Sequence, residues 1–281
     1  MGLFLWKKMK NRVAIQGYIG SYHHEAANNY LGNDIEIVEC DTFKTLAKSL
    51  TKGKVDTAIM AIENTIAGAI LPNYALLTKY NLKVVGEIYL SIQHQLMVKK
   101  GQTLDDVKEV RSHQMALLQC DKFLEKHPTW RVVNDIDTAL TAKDIVEQDL
   151  HDVAAIASRK AAEVYGLDIL ASSIQTFQDN FTRFFVLQRE HNDYEDFNKV
   201  SMRFSVPHQS GALVDVLNQI AECGINMDKI QSVPIIEKPW EYSFHIDITF
   251  EQKEQYYELL GKIARKLTDL EILGEYKLGK K

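Results

Sequence analysis

A chain of 281 residues is long enough for two or three compact units, each burying its own core. Its 46% hydrophobic and 25% charged residues sit near the globular average, which excludes a disordered or fibrous polypeptide. A net charge of −5 removes bulk attraction to nucleic acid, and three scattered cysteines (Cys40, Cys120, Cys223) exclude a disulfide framework and a thiolate metal site.

The first nine residues carry an apolar patch too short for a signal peptide or a membrane span. Trp6 stands where a myristoylation motif needs Ser or Thr. With a cysteine usage that fits a reducing compartment, the expectation is a cytoplasmic protein in which residues 1–8 are a dispensable extension. Neither a membrane nor a nucleic acid is expected as a partner.

Residues 12–16 form a short apolar strand, followed by the turn Gly17-Tyr18-Ile19-Gly20-Ser21 and a helix through Ala26, Ala27 and Leu31. Residues 35–40 are a second strand, and Thr42 caps a helix bearing Phe43, Leu46, Ala47 and Leu50. Residues 56–62 are a buried strand. Strand, helix, strand in this order implies a parallel sheet covered on both faces.

The pattern then shifts. Residues 83–99 are almost uninterrupted strand-like sequence, long enough to cross between two lobes. Strands at 110–112, 130–133 and 153–157 lead into helices at 115–126, 138–146 and 159–165, and a strand at 185–188 closes the unit. Two α/β lobes joined by crossing segments build a cleft for a small ligand. Residues 190–199 are polar and acidic without periodicity, and read as a linker. Beyond them come a strand at 201–206, a helix at 211–223, strands at 225–236 and 242–250, an amphipathic helix at 253–267 and a strand at 272–278. That order is βαββαβ, the ferredoxin-like arrangement.

The most informative segment is Asp179-Asn180-Phe181-Thr182-Arg183-Phe184-Phe185, which sets a hydroxyl beside a guanidinium at the start of an apolar strand. Thr donates one proton, and Arg holds an anion without losing its charge. A site that expels a hydroxyl from an anionic substrate needs both. Adjacent strand residues face opposite ways, however, so Arg183 either clamps a carboxylate or turns to the core. Ser21 follows a Gly-x-x-Gly turn and opens a helix, where free amides and its hydroxyl form an anion site. Glu63 and Asn64 close a strand, where clefts in α/β sheets form. Glu63 either donates a proton or anchors neighbouring backbone, and the second reading is favoured, since an ionised carboxylate repels an anionic ligand. His113 follows a strand end, where an imidazole can shuttle protons. His94, in the crossing segment, reads as a core or hinge residue, and His23 and His24 have no acidic partner at metal spacing.

Five segments, in order, resemble the prephenate dehydratase family. Gly17-Tyr18-Ile19-Gly20-Ser21-Tyr22 resembles its Gly-Pro-x-Gly-Thr-Phe opening, with Tyr18 in place of proline. Ile62-Glu63-Asn64-Thr65 and Gly68 resemble Ile-Glu-Asn-Ser-x-x-Gly. Ser112-His113, Ala116-Leu117 and Gln119-Cys120 resemble a Ser-His-Pro-Gln-Ala-Leu segment, with Gln114-Met115 in place of Pro-Gln. Thr138-Ala139 with Ala142 resembles Ser-Thr-Ala-x-x-Ala, and Asn180-x-Thr182-Arg183-Phe184 is the most specific of the five. From residue 201 onward the chain resembles the ACT regulatory domain.

The resemblance implies a periplasmic-binding-protein-like catalytic domain of two α/β subdomains over residues 1–190, a linker at 191–200 and an ACT domain at 201–281. It implies a lyase that turns prephenate into phenylpyruvate, water and carbon dioxide in L-phenylalanine biosynthesis, with no cofactor and no metal. Its catalytic residues would be Thr182, Arg183, Asn64 and Ser21, with Thr182 giving or directing the proton to the departing hydroxyl. Tyr22, Glu63, Thr65, His113, Thr138, Asn180 and Phe184 would contact the substrate, and Thr138 would also cap its helix. L-Phenylalanine would act as effector at Gly211, Ala212, Leu213, Val214, Asn226, Met227, Gln231 and Ser232, with a homodimer or homotetramer holding it between subunits. Gln231-Ser232-Val233-Pro234 departs from the family's Glu-Ser-Arg-Pro and loses one charge of each sign. Two other readings are an arogenate dehydratase, which differs only in the pocket for the substrate's side arm, and a non-catalytic amino-acid sensor.

Overall fold

The computed structural model describes residues 10–191, 195–235, 238 and 240–280. The first nine residues, part of the linker and Ile236, the last residue of one expected strand, lie outside that set. In chain order the elements begin with β1 Asn11–Gln16, α1 Tyr22–Leu31, β2 Ile35–Cys40, α2 Phe43–Thr51, β3 Thr57–Asn64, β4 Gly68–Ala69, α3 Leu71–Lys79 and β5 Lys83–Ser91. There follow β6 Gln95–Val98, β7 Glu109–His113, α4 Gln114–Gln119, α5 Asp121–Leu124, β8 Arg131–Asp135, α6 Thr138–Glu147, β9 Val153–Ala157, α7 Arg159–Tyr165, β10 Asp168–Ala171 and β11 Phe181–Gln188. The last run is β12 Lys199–Ser205, α8 Ala212–Glu222, β13 Asn226–Pro234, β14 Tyr242–Thr249, α9 Lys253–Ile263 and β15 Asp269–Tyr276.

Two compact units emerge. One takes the described residues up to Ile59 together with Leu90–Thr182, and the other takes Met60–Tyr89 with the described residues from Arg183 onward. Strands β3, β5 and β11 therefore run from one unit into the other.

In the first unit β1 pairs in parallel with β2 and with the start of β3, as the strand–helix–strand order dictates. A second sheet has the order β10-β6-β9-β7-β8, with β7 parallel to β8 and β9 and β6 antiparallel to its neighbours. Its middle strand, Val-Ala-Ala-Ile-Ala, is buried at every position, which an apolar run in a doubly covered strand requires. Helix starts follow local chemistry: Thr42 caps α2 by accepting from Thr45 N at 3.1 Å, and Ser158 caps α7 by accepting from Ala161 N at 3.0 Å. Gly20 has φ +94°, and a Cβ there would lie 3.0 Å from the Ala161 Cα, so both conformation and space demand glycine.

Two expected elements are broken. The long strand at 83–99 stops at Ser91 and resumes at Gln95. The backbone of 92–94 turns to other partners: Ile92 N donates to Asn180 O at 2.7 Å, and His94 N to Gln175 Oε1 at 3.0 Å. The helix at 115–126 divides at Cys120, a buried residue with φ −108° and ψ 17°, into α4 and α5.

In the second unit, β12 to β15 form an antiparallel sheet in the order β13-β14-β12-β15, and the connections supply the βαββαβ order. Val200, Met202, Phe204, Ile246 and Ile248 from the strands meet Val216 and Ile220 of α8 and Leu259 and Ile263 of α9. Alternation puts Lys199, Ser201, His245 and Asp247 on the opposite face. All four residues of that face are buried. It is covered from within the same unit: His245 lies edge-on to the Tyr74 ring with centroids 4.9 Å apart, and a Cβ on Gly274 would stand 1.9 Å from the Val84 carbonyl oxygen. Among the described residues no helix is long and apolar enough to cross a membrane.

Candidate active site

The first unit gathers one group of expected residues. Ser21 is buried and caps α1, its hydroxyl accepting from His24 N at 3.4 Å, while Gly20 N donates to His24 Nδ1 at 3.0 Å. One residue on, the Tyr22 hydroxyl lies 2.8 Å from His94 Nδ1 and 3.0 Å from the Gln93 carbonyl oxygen. The other ring nitrogen of His94 is 2.8 Å from Gln119 Oε1, which also accepts from Asn180 Nδ2 at 2.9 Å. Gln119 Oε1 cannot donate, so its pairing assigns the proton of a neutral His94 to Nε2 and leaves Nδ1 to accept from Tyr22. Burial lowers the His94 pKa despite the opposing Gln119 bond, and burial raises the Tyr22 hydroxyl well above its ordinary value. A neutral chain Tyr22–His94–Gln119–Asn180 results. Thr182 lies two residues past Asn180, at the start of β11, and both are buried.

His94 is the buried, hydrogen-bonded core residue that the sequence suggests, and Gln119 links it to Asn180.

Two candidates of the first unit remain, His113 and Thr138. His113 is exposed and caps α4, with Nδ1 accepting from Met115 N at 3.2 Å. Thr138 does not cap its helix. Asp137 does, its Oδ1 accepting from Ala139 N at 2.8 Å and Leu140 N at 3.0 Å. The Asp137 carboxylate also lies against Gly17, where a Cβ would stand 2.6 Å from Oδ2, and burial raises its pKa against those backbone bonds.

In the second unit Asn64 is buried at the end of β3, and its Oδ1 accepts from Ile66 N and Ala67 N, both at 2.9 Å, closing the turn that follows. Glu63 turns its carboxylate to Lys229 Nζ at 2.7 Å, and Thr65 is exposed. The Arg183 guanidinium, 4% exposed, is spent inside the protein. It bonds Glu87 Oε2 through Nε at 2.7 Å, contacts Asp247 through Nη1 and donates to the Tyr276 hydroxyl through Nη2 at 3.2 Å. Arg183 is therefore not a clamp for a substrate carboxylate, because two buried carboxylates already hold it. Phe184 is likewise corrected from a substrate contact to a core residue, 1% exposed. Burial opposes the Asp247 carboxylate, but the Arg183 charge and the bonds from Arg183 and Ser201 outweigh it and hold its pKa below the usual range.

A cavity of about 210 Å³ in this unit is lined by Gly211, Ala212, Leu213 and Val214 with Tyr242 and Phe244. Gly211, at φ +85°, precedes α8, whose start has no side-chain cap. Asn226, Met227, Gln231 and Ser232, on β13, do not line it. Asn226 Nδ2 bonds Asp228 Oδ1 at 2.6 Å, and Gln231 Nε2 bonds the Ser232 carbonyl at 2.9 Å.

Two α/β sheets bear a buried hydroxyl and amide with a half-buried tyrosine nearby, and an antiparallel βαββαβ sheet with its own cavity follows, the organisation of an α/β enzyme. Residues 13–192 match the sequence model of prephenate dehydratase. The chain is 37% identical over 277 residues to arogenate dehydratase/prephenate dehydratase 2 of Arabidopsis thaliana, a chloroplastic protein, covering 94% of this chain and 72% of that one. The solved prephenate dehydratase of Arthrobacter aurescens, in complex with L-Phe, superposes with TM-score 0.86 at 25% identity over 95% of this chain and 90% of that one. A structure described as GqqA, a novel type of quorum quenching acylase, superposes with TM-score 0.86 at 27% identity over 95% and 97%. The chain belongs to the prephenate dehydratase family.

Proposed function

We propose that the chain removes water and carbon dioxide from prephenate to give phenylpyruvate, with Thr182 as the group that gives or directs a proton to the leaving hydroxyl. The ring–carboxylate bond breaks, its electron pair enters the ring, and the ring C–O bond breaks as aromaticity forms. The departing hydroxide takes one proton and leaves as water. Aromatisation drives the reaction, so the barrier lies in the leaving group. A positioned proton donor contributes about 10²–10⁴ in rate. Burial of Thr182 and Asn180 supplies the dry setting in which such a donor is effective. Asn64 and the amides at Ser21 orient the two substrate carboxylates, with Tyr22 beside the ring. The observation that carries this reading is the Asn180-x-Thr182-Arg183-Phe184 segment, with Thr182 buried at the head of β11, inside a region matching the family over 13–192.

Residues 1–190 are read as the catalytic domain, 191–200 as a linker and 201–281 as an ACT domain with the ferredoxin-like arrangement. L-Phenylalanine fits the 210 Å³ cavity by chemistry: Leu213, Val214 and Phe244 are apolar, and the uncapped start of α8 offers amides to a carboxylate. The L-Phe complex of the Arthrobacter relative supports this effector. A dimer or tetramer built through this domain, in the cytoplasm, completes the proposal. The Arabidopsis relative carries both dehydratase names, so arogenate is the competing substrate.

The test is turnover of prephenate and arogenate side by side, followed by phenylpyruvate and phenylalanine formation. Thr182→Val, which keeps shape and removes the hydroxyl, lowers turnover about 10²-fold or more with an unchanged unfolding midpoint. A variant that keeps most of its rate overturns the role of Thr182, and an inert parent overturns the reading.

A further inference from the structure

Strands β13 and β14 lie side by side, and their register sets Lys229 opposite Asp247. The pairing shifts between Met227 and Lys229, so Asp228 is the extra residue of a bulge. The opposed charges reach past each other. Lys229 Nζ lies 2.7 Å from Glu63, and Asp247 takes the Arg183 guanidinium. Asp228 meets Lys199 at 3.1 Å, and Lys199 meets Glu87 at 3.0 Å. Glu63 is the penultimate residue of β3, and Arg183 is the third of β11. Each is bonded in sequence to a residue of the candidate site, Asn64 and Thr182. Side chains alternate along a strand, so Asn64 lies on the face of β3 opposite Glu63, and Thr182 on the face of β11 opposite Arg183.

Buried ion pairs contribute little to stability compared with apolar residues of the same volume. The buried Arg183–Asp247 pair and the partly exposed Lys229–Glu63 pair, each on the neighbour of a site residue and each drawn from one strand pair, point to position instead. Strand β14 also carries Tyr242 and Phe244, which line the cavity of the same unit. One end of β14 thus meets the effector cavity and the other grips Arg183.

We infer that Lys229 and Asp247 are positioning residues for the reaction, setting Asn64 and Thr182 from behind through Glu63 and Arg183, and that occupation of the β14 cavity is read at the site through these two ion pairs. The inference rests on the dehydratase reading.

The pair Lys229–Glu63 gives the cleaner test, because Asp247 also holds Ser201 and its loss disturbs a larger network. In Lys229→Gln, kcat falls about 10-fold with KM little changed, and inhibition by L-phenylalanine weakens while its calorimetric affinity stays within about 3-fold, as expected when coupling rather than binding is lost. Lys229→Arg retains the parent behaviour. Glu63→Gln reproduces the loss, and Glu63→Gln/Lys229→Gln is no worse than either single change. An unchanged kcat in Lys229→Gln, or losses that multiply in the double variant, overturns the inference. Amide exchange of residues 60–66, read by mass spectrometry, decides it independently of activity: faster exchange in Lys229→Gln supports the link, and unchanged exchange overturns it even where an inert parent has removed the functional reading.

Discussion

Thr182 and Arg183 are neighbours with opposite duties, and substitution separates them. Thr182→Val leaves packing intact and removes a proton donor. Arg183→Met keeps length but strands Glu87 and Asp247, both buried, without their guanidinium. Breaking one partner of a buried ion network costs about 3–5 kcal/mol, so Arg183→Met shifts the urea midpoint strongly where Thr182→Val does not. Equal midpoints for the two variants would place Arg183 outside the structural network. The pairing of hydroxyl and guanidinium was visible in the chain, but their division of labour was not. Arg183 finds Glu87, Asp247 and Tyr276 at sequence separations of 96, 64 and 93, and no local pattern encodes partners at that range. Glu63 was different. A carboxylate is a poor neighbour for an anionic substrate, and that elementary repulsion pointed to an anchor of neighbouring backbone, whereas the carboxylate meets the distant Lys229 side chain.

At the scale of elements, periodicity and capping chemistry made most strands and helices legible, including the βαββαβ run. Breaks were not. Nothing in Ser91-Ile92-Gln93-His94 signals a turn, since the chain leaves the strand only because Asn180 and Gln175 supply better partners for its amides. The second illegible feature was the buried polar face of the C-terminal sheet. Its alternation of polar and apolar residues is that of a half-solvated strand, yet β5 and α3 residues cover it. Glycine records that cover. A Cβ on Gly274 of β15 would stand 1.9 Å from the Val84 carbonyl oxygen of β5, whereas a Cβ on Gly261 of α9 meets nothing within 4 Å. Gly274→Ala therefore forces strands apart and destabilises by about 1–3 kcal/mol or more. Gly261→Ala stabilises by about 0.5–1 kcal/mol, because alanine is the better helix former at an open position. Chemical denaturation of both variants checks the signs. Equal effects would mean that the β15–β5 approach is looser than described.

Across the whole molecule, acid acts first through histidine. His23 in the first unit and His245 in the second are buried, and desolvation favours the neutral form of each. Burial lowers His23 from 6.5 to about 3 and His245 from 6.5 to about 4, the latter helped by the Arg203 charge and opposed by Asp247. A depressed folded pKa gives stability that is present above the unfolded value and lost as pH falls. The window for His245 is thus pH 6.5 down to about 4, and for His23 down to about 3. Within it the unfolded chain binds a proton at each site that the folded chain refuses, at about 1.4 kcal/mol per pH unit for each. Asp247 behaves otherwise. Its carboxylate is held below the usual range, so its stabilising share is lost only at still lower pH, and the histidines set the first decline. His245 offers a direct check, because its Nδ1 is buried with no hydrogen-bond partner among the described residues and its ring packs on Tyr74. His245→Phe sacrifices no Nδ1 bond and keeps an aromatic ring against Tyr74. Its stability at pH 7 stays within about 1.5 kcal/mol of the parent, as shape-conserving core changes do, while the fall in urea midpoint from pH 6.5 to 4 becomes shallower. A variant that declines as steeply as the parent would show that His245 is already charged in the folded protein, and that the buried face of the C-terminal sheet tolerates a further cation beside Arg183 and Lys199.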